Sequence, residues 1–105
     1  MDAELKEKWI KALTSRKYKQ GKNTLRSVDN KFCCLGVLCN IIDPEGWHQE
    51  VLSDDWVWNE DEEVLSIETC KDIGLDYLHQ DKLVDMNDNQ DKKFYQIARW
   101  IRKNL

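Results

Sequence analysis

The sequence has no hydrophobic run long enough to cross a membrane, which takes about 18 or more consecutive apolar residues. We therefore expect no membrane-spanning helix. Residues Met1–Glu7 begin an amphipathic segment and not an apolar leader core, so we expect no signal peptide and a cytoplasmic location. A chain of 105 residues has room for one hydrophobic core, which predicts a single domain over residues 1–105.

Residue sets typical of catalytic and metal centres are also missing. The only two histidines, His48 and His79, lie in no recognisable setting, so Cys33 or Cys34 would lack an evident general base. The four cysteines do not form the two spaced pairs of a structural zinc site, and no Gly-Lys-Ser/Thr closes a phosphate loop. The acidic run at residues 60–63 is more typical of a solvated face than of paired catalytic carboxylates. These absences predict a non-enzymatic protein with no metal and no cofactor.

One long apolar segment, Lys31–Ile42, stands out in a chain that is 34% charged, because it has no charged residue after Lys31. Its apolar residues recur at helical spacing, which predicts a central buried helix, although their alternation leaves a buried strand open. Asp43-Pro44 predicts the end of that helix, and Gly36 would let another backbone approach closely. Three of the four cysteines lie in this segment, and we expect all four to be free thiols.

Helices are also predicted on both sides of this segment. Asp2–Leu13 carries an apolar stripe and two ion pairs at i,i+4 spacing, Glu4–Lys8 and Glu7–Lys11. Ser66–Leu75 reads as a short helix with Ser66 as its N-cap and Gly74 just past its end. Residues 81–86 would add one or two helical turns, 87–90 a turn, and Asp91 would cap a final helix through 94–105.

One or two short hairpins complete the predicted fold. A strand over Thr24–Val28 would turn at Asp29-Asn30 and return through Lys31-Phe32. A second hairpin is predicted within Trp47–Asn59. The predicted fold class is therefore α+β, with about four helices around one or two short antiparallel hairpins.

The net charge of −4 is unevenly distributed along the chain. Residues 15–28 contain five cations and no acid, whereas residues 43–91 contain 16 acids and only two lysines. An acidic protein with one basic stretch is not expected to bind duplex nucleic acid, but it could hold a small anion.

The basic stretch gives the candidate site. Gly21 predicts a loop with exposed backbone N–H groups, and nearby cations would neutralise phosphate. Tyr18 would stack on a base, and Gln20 and Asn23 would bond to its edge. The predicted phosphate-binding side chains are Arg16, Lys19, Lys22 and Arg26. The alternative is a solvated loop that is basic by chance.

Several motifs resemble a widespread family of small tailed-phage and prophage proteins. They are Lys17-Tyr-Lys-Gln-Gly21, Leu25-Arg26, the Phe-Cys-Cys-Leu-Gly-Val-Leu-Cys motif at 32–39, and Leu83-Val-Asp-Met-Asn-Asp-Asn89. The resemblance covers most of the chain, with residues 43–64 variable. It implies that Asn87 and Asp88 line the same pocket as the basic loop.

Small phage proteins of this size include sponges that sequester cyclic nucleotide signals of bacterial immunity. By this analogy, the resemblance suggests a binding protein for a cyclic oligonucleotide in the host cytoplasm. We expect a homo-oligomer, because small subunits often build ligand pockets at symmetric interfaces. The alternative is a protein–protein inhibitor or adaptor that acts on a host enzyme through the acidic region 43–91. A small hydrolase of unknown substrate is a third reading.

Overall fold

The computed structural model describes residues 1–105 and contains five α-helices and four short β-strands. The helices are α1 (Ala3–Thr14), α2 (Cys34–Ile42), α3 (Ile67–Ile73), α4 (Tyr77–Asp88) and α5 (Phe94–Asn104). The strands are β1 (Lys19–Gln20), β2 (Lys31–Phe32), β3 (Trp47–Gln49) and β4 (Trp56–Trp58). The predicted α+β class is confirmed, with one helix more than expected. None of the helices combines the length and apolar character needed to span a bilayer.

Helix α2 lies in the centre of the core, as the apolar segment predicted. Its first six residues, Cys34 to Cys39, are buried, and the helix packs against α1 and α4. The buried indole of Trp9 donates a hydrogen bond of 2.9 Å to the carbonyl oxygen of Cys34, which satisfies both groups. A Cβ on Gly36 would lie 1.8 Å from the carbonyl oxygen of Leu25, so the expected close backbone approach is confirmed.

Helices α1 and α5 pack side by side, and their contact decides which ion pairs form. Arg102 of α5 donates from its two terminal nitrogens to the two carboxylate oxygens of Glu7, at 3.0 and 3.4 Å. The predicted Glu7–Lys11 pair is therefore wrong, because the guanidinium of Arg102 binds both carboxylate oxygens of Glu7. The predicted Glu4–Lys8 pair is present at 3.4 Å.

The two strand pairs run in different directions. β1 pairs with β2 in parallel, whereas β3 and β4 form the predicted antiparallel hairpin. The predicted hairpin between Thr24–Val28 and β2 is reduced to one antiparallel bridge from Arg26. Around this bridge the N–H of Ser27 donates to the carbonyl oxygen of Lys31 at 2.9 Å, and the N–H of Cys33 donates to that of Leu25 at 3.3 Å. The pairing extends no further because the N–H of Leu25 donates to the carbonyl oxygen of Glu62 at 2.8 Å.

Helix α3 begins and ends as predicted. The side chain of Ser66 accepts a hydrogen bond from the N–H of Thr69 at 3.1 Å, and Gly74 follows the helix in the left-handed conformation, with φ +73°. The caps at both ends therefore come from local sequence.

Helix α4 is longer than predicted, and α5 begins differently. The side chain of Asp76 caps α4 by accepting from the N–H of Leu78 at 2.8 Å, so the helix starts before residue 81. It continues through residue 88, which places residues 87 and 88 in its last turn and not in a loop. Asp91 does not cap α5: its φ is +53°, and Lys93 occupies the N-cap position.

Candidate functional site

The side chains of Gln20 and Asn87 form a buried amide network between β1 and α4. Gln20 donates to Asn87 at 3.0 Å and to the carbonyl oxygen of Lys92 at 2.8 Å, and it accepts from the N–H of Phe94 at 3.1 Å. Asn87, which is 1% exposed, donates to the carbonyl oxygen of Gly21 at 2.8 Å. Both amides therefore hold the loop in place through their donors. The roles of Gln20 in reading a base edge and of Asn87 in lining a pocket stay predictions.

Asp88 also holds this loop instead of facing a ligand. Its Oδ1 accepts from the backbone N–H of Asn23 at 3.1 Å and from the side chain of Asn87 at 2.8 Å. The N–H of Gly21 donates to the carbonyl oxygen of Phe32 at 2.8 Å. The prediction of exposed loop N–H groups around Gly21 is therefore wrong, because neighbouring elements accept these hydrogen bonds.

Two of the four predicted phosphate-binding cations have partners within the molecule. Lys22 forms an ion pair with Asp91. The guanidinium of Arg26 lies 4.1 Å from the ring centroid of Trp56 and donates to Asn30 at 2.7 and 2.9 Å. Partial burial lowers the pKa of the Arg26 guanidinium. Arg26 thus packs between Phe32 and the tryptophans of the β3–β4 hairpin, where it is poorly placed to bind an exposed phosphate.

The remaining predicted residues are open to solvent or line a concave surface. Arg16 and Lys19 are exposed, and neither forms an ion pair. Tyr18 is half-buried, with its ring edge-on to Phe32 at 5.1 Å between centroids. Its hydroxyl accepts a hydrogen bond of 2.9 Å from Asn40. The Tyr18 ring is therefore held in a fixed orientation.

Tyr18 lines a recess of about 580 Å³ at the C-terminal end of α1, which we call the lysine recess. It is formed by Lys8, Lys11, Ala12, Thr14, Ser15, Lys17 and Tyr18. Three of these residues are cations and none is an acid. Lys11 and Lys17 form no ion pair, so their charges are uncompensated.

A second recess, of about 390 Å³, shares Tyr18 and Thr14 with the first, and we call it the arginine recess. Its lining consists of Leu13, Thr14, Arg16, Tyr18, Gln20, Phe94 and Tyr95. Tyr95 is 57% exposed, so an aromatic ring is available beside Arg16. The larger concave surface nearby, of about 630 Å³, includes Glu4 and Glu7 and is therefore less suited to an anion.

The lining residues of the two recesses that the sequence does not predict as binding residues include Lys8, Lys11, Lys17 and Tyr95. The helical spacing predicts an ion pair between Lys11 and Glu7, but in the structure Glu7 pairs with Arg102. The sequence feature that could have indicated Lys11 is its position near the end of α1, which leads directly into the basic loop.

The four cysteines are all buried and unpaired. Burial raises the pKa of the Cys33 thiol to about 12 and raises those of Cys34, Cys39 and Cys70 as well. These thiols stay protonated at neutral pH, which argues against a cysteine nucleophile. No group of three or more metal-binding side chains is brought together.

The fold and its two recesses define a small α+β protein with a basic concave surface around a fixed tyrosine. The chain belongs to the family described as Domain of unknown function (DUF8296), whose model matches residues 1–71. The matched residues include α1, α2, both strand pairs and the whole lining of the lysine recess. No curated protein and no solved structure matches the chain.

Proposed function

We propose that this protein is a non-enzymatic binding protein that sequesters a nucleotide-type anion, and specifically a cyclic oligonucleotide. The observation that carries the proposal is the lysine recess, where three lysines and a fixed tyrosine meet without an acid in the lining. Lys8 is paired with Glu4, but this pair is largely exposed and therefore weak enough to be exchanged for a phosphate.

The proposed binding mode assigns phosphate to the lysines and a base to the tyrosine. Lys11 and Lys17 form no ion pair, and Tyr18 offers a ring whose orientation is already fixed. Lys11 also borders the neighbouring surface that holds Glu7, whose carboxylate is paired with Arg102. Fixing these groups before binding lowers the entropy cost of association. The hydroxyl of Thr14 donates to carbonyl oxygens within α1, so the cationic groups dominate recognition.

The shared residues between the two recesses favour a ligand with more than one phosphate. Tyr18 and Thr14 belong to both linings, and Arg16 with Tyr95 repeats the combination of a cation and a ring on the other side. A cyclic oligonucleotide carries at least two phosphates and two bases, which matches this duplication. A sequestering protein needs such complementarity and no reacting group.

Calorimetry with a panel of cyclic di- and trinucleotides tests the proposal. The wild-type protein should release or absorb heat saturably with at least one of them. The double variant Lys11→Glu/Lys17→Glu should weaken that binding by roughly a hundredfold, as removal of charge-assisted contacts implies. Lys82→Glu on the exposed surface of α4 is the matched control and should bind normally. No heat with any member of the panel would refute the proposal.

In this proposal the protein is phage-encoded and acts as a homo-oligomer in the bacterial cytoplasm. The phage origin is supported by the resemblance of the motifs at 32–39 and 83–89. Both recesses are open at the surface of one subunit, and small subunits often complete ligand sites at symmetric interfaces. Light scattering after size exclusion should give a multiple of the monomer mass; a monomer with and without ligand would contradict the oligomer.

A second candidate function, inhibition of a host protein through the acidic region, is favoured by the tip of the β3–β4 hairpin. Val51 and Leu52 are completely exposed there, between Glu50 and Asp54. Exposed aliphatic residues rimmed by polar residues are typical of protein contacts. In a pull-down from bacterial lysate, Val51→Ser/Leu52→Ser should lose a partner that Lys11→Glu/Lys17→Glu retains.

A further inference from the structure

A separate basic recess of about 310 Å³ lies between α4 and α5, which we call the α4–α5 recess. It is lined by Met86, Lys92, Gln96, Arg99, Trp100 and Lys103. Three of the six are cations, none is an acid, and none of the three cations forms an ion pair. It shares no residue with the lysine or arginine recess.

The register of α5 places three of these side chains on one helix face. Gln96, Arg99 and Lys103 follow at spacings of three and four, which brings them onto neighbouring turns, and Lys92 lies just before the helix. The backbone of Lys92 is fixed, because its N–H donates to the carbonyl oxygen of Met86 at 3.0 Å and its carbonyl accepts from Gln20 at 2.8 Å. The cationic face is therefore built on a rigid frame.

The aromatic wall of the recess is also held in place. The ring of Trp100 packs edge-on against His79 at 5.8 Å between centroids, and Trp100 remains partly exposed. The nearly buried Met86 provides an apolar surface beside it. An indole beside a thioether offers a surface on which a flat ring can stack.

Asp85, one of three acidic residues in α4, precedes Met86 of this recess but is hydrogen-bonded elsewhere. Asp85 accepts hydrogen bonds from the side chains of Asn89 and Gln90, and these bonds lower the pKa of its carboxyl group. Its carboxylate therefore organises the end of α4 and does not neutralise Arg99 or Lys103.

We propose that the α4–α5 recess is a second anion-binding site, which takes the phosphate of a nucleotide on Arg99 and Lys103 and its base on Trp100. The guanidinium of Arg99 offers paired donors that match two phosphate oxygens, and Lys103 and Lys92 add charge. Stacking on the indole distinguishes a nucleotide from inorganic phosphate. The site stands independently of the proposed sequestering function, because its residues are all different.

Titration of ¹⁵N-labelled full-length protein with adenosine monophosphate, followed by nuclear magnetic resonance, tests this site. The Trp100 indole signal is assigned from its absence in Trp100→Phe. We expect that signal and the backbone signals of residues 99–103 to shift saturably, with a dissociation constant of about 1 mM or below. Inorganic pyrophosphate should shift the signals of Arg99 and Lys103 with little effect on the indole, and adenosine should shift neither.

Two double variants distinguish this site from the lysine recess. Arg99→Glu/Lys103→Glu should weaken the response of Trp100 to adenosine monophosphate by roughly tenfold or more, while Lys11→Glu/Lys17→Glu should leave it unchanged. All four residues are exposed, so a preserved spectrum is expected and verifies the fold. An indole signal that does not respond to adenosine monophosphate, or that responds equally in Arg99→Glu/Lys103→Glu, would overturn the second site without affecting the calorimetric test of the first.

Discussion

At the residue scale, the side-chain amide of Asn87 joins the end of α4 to two distant parts of the chain, the loop at Gln20-Gly21 and the start of α2. It donates to Gly21 and Asp88, and it accepts from Gln20 and from the backbone N–H of Cys34. If this buried amide were removed, each of its partners would lose a hydrogen bond that water cannot easily replace. The loop that carries Tyr18 therefore depends on a residue that touches neither recess.

We expect Asn87→Ala to lower the free energy of unfolding by about 2–3 kcal/mol, because it leaves buried donors and acceptors unsatisfied. Urea denaturation measures the change. Asn89→Ala is the control: Asn89 is exposed and bonds only to Asp85, so its loss should cost less than about 1 kcal/mol. Equal losses for the two variants would contradict the role given to Asn87.

Gly36 and Gly74 are required for different physical reasons, and replacing each by alanine should lower the free energy of unfolding by different amounts. Gly36→Ala places a Cβ 1.8 Å from a backbone oxygen of Leu25, which no side-chain movement can relieve. We expect a loss of about 3 kcal/mol or more. Gly74→Ala meets the strain of φ +73° and a Cβ contact of 3.2 Å with the Cα atom of Met1, and we expect a loss of about 1 kcal/mol. Thermal or urea unfolding gives both values, and the reverse order would contradict the close packing at Gly36.

At the element scale, α2 carries two buried thiols, and its N-cap residue Cys33 adds a third. The Sγ atom of Cys33 accepts from the N–H of Gly36 at 3.4 Å, so this cysteine both fills space and caps the helix. Its thiol is neutral at physiological pH because burial opposes the thiolate.

We expect stability to fall at alkaline pH because of these thiols. The pKa of Cys33 rises from 9.0 to about 12 on folding, so the unfolded chain loses this proton at lower pH than the folded chain does. The stabilising contribution is complete below pH 9 and is lost as the pH rises toward 12. Urea denaturation across this range should show the decline, and Cys33→Ser should show a shallower one; an equally steep decline would contradict the assignment.

At the scale of the whole molecule, charge is separated between two parts of the chain. Residues 43–91 contain 16 of the 20 acids, whereas residues 1–42 and 92–105 contain 14 of the 16 cations. The first part forms the β3–β4 hairpin, α3 and α4, and the second forms the remaining elements, including α1, α2 and α5. All three basic recesses draw their cations from the second part.

This separation predicts that salt destabilises the folded protein. The two parts attract each other across the core, and raising the ionic strength shortens the Debye length from about 30 Å at 0.01 M to about 3 Å at 1 M. We expect the free energy of unfolding in urea to fall by roughly 1 kcal/mol over that range of sodium chloride. A rise in stability would indicate that repulsion within each part outweighs attraction between them.

The sequence by itself determined most helices and the hairpin β3–β4. The periodicity of α1, α2 and α5, and the caps at Ser66 and Gly74, depend on residues a few positions apart, so local spacing is enough to predict them. The α+β class and the central position of α2 follow from the same patterns, as does the basic character of the loop around Tyr18.

Only the tertiary structure decided which of those cations are available to a ligand. Arg102 pairs with Glu7, which is 95 positions away in the sequence, and Lys11 is left without an ion pair. Asp91 pairs with Lys22, which is 69 positions away. The parallel pairing of β1 with β2 and the bonds of Asn87 likewise join distant parts of the chain. Spacing along the chain does not encode these contacts, because they depend on how the helices pack; the concave surfaces, and with them the candidate site, therefore appear only in the folded protein.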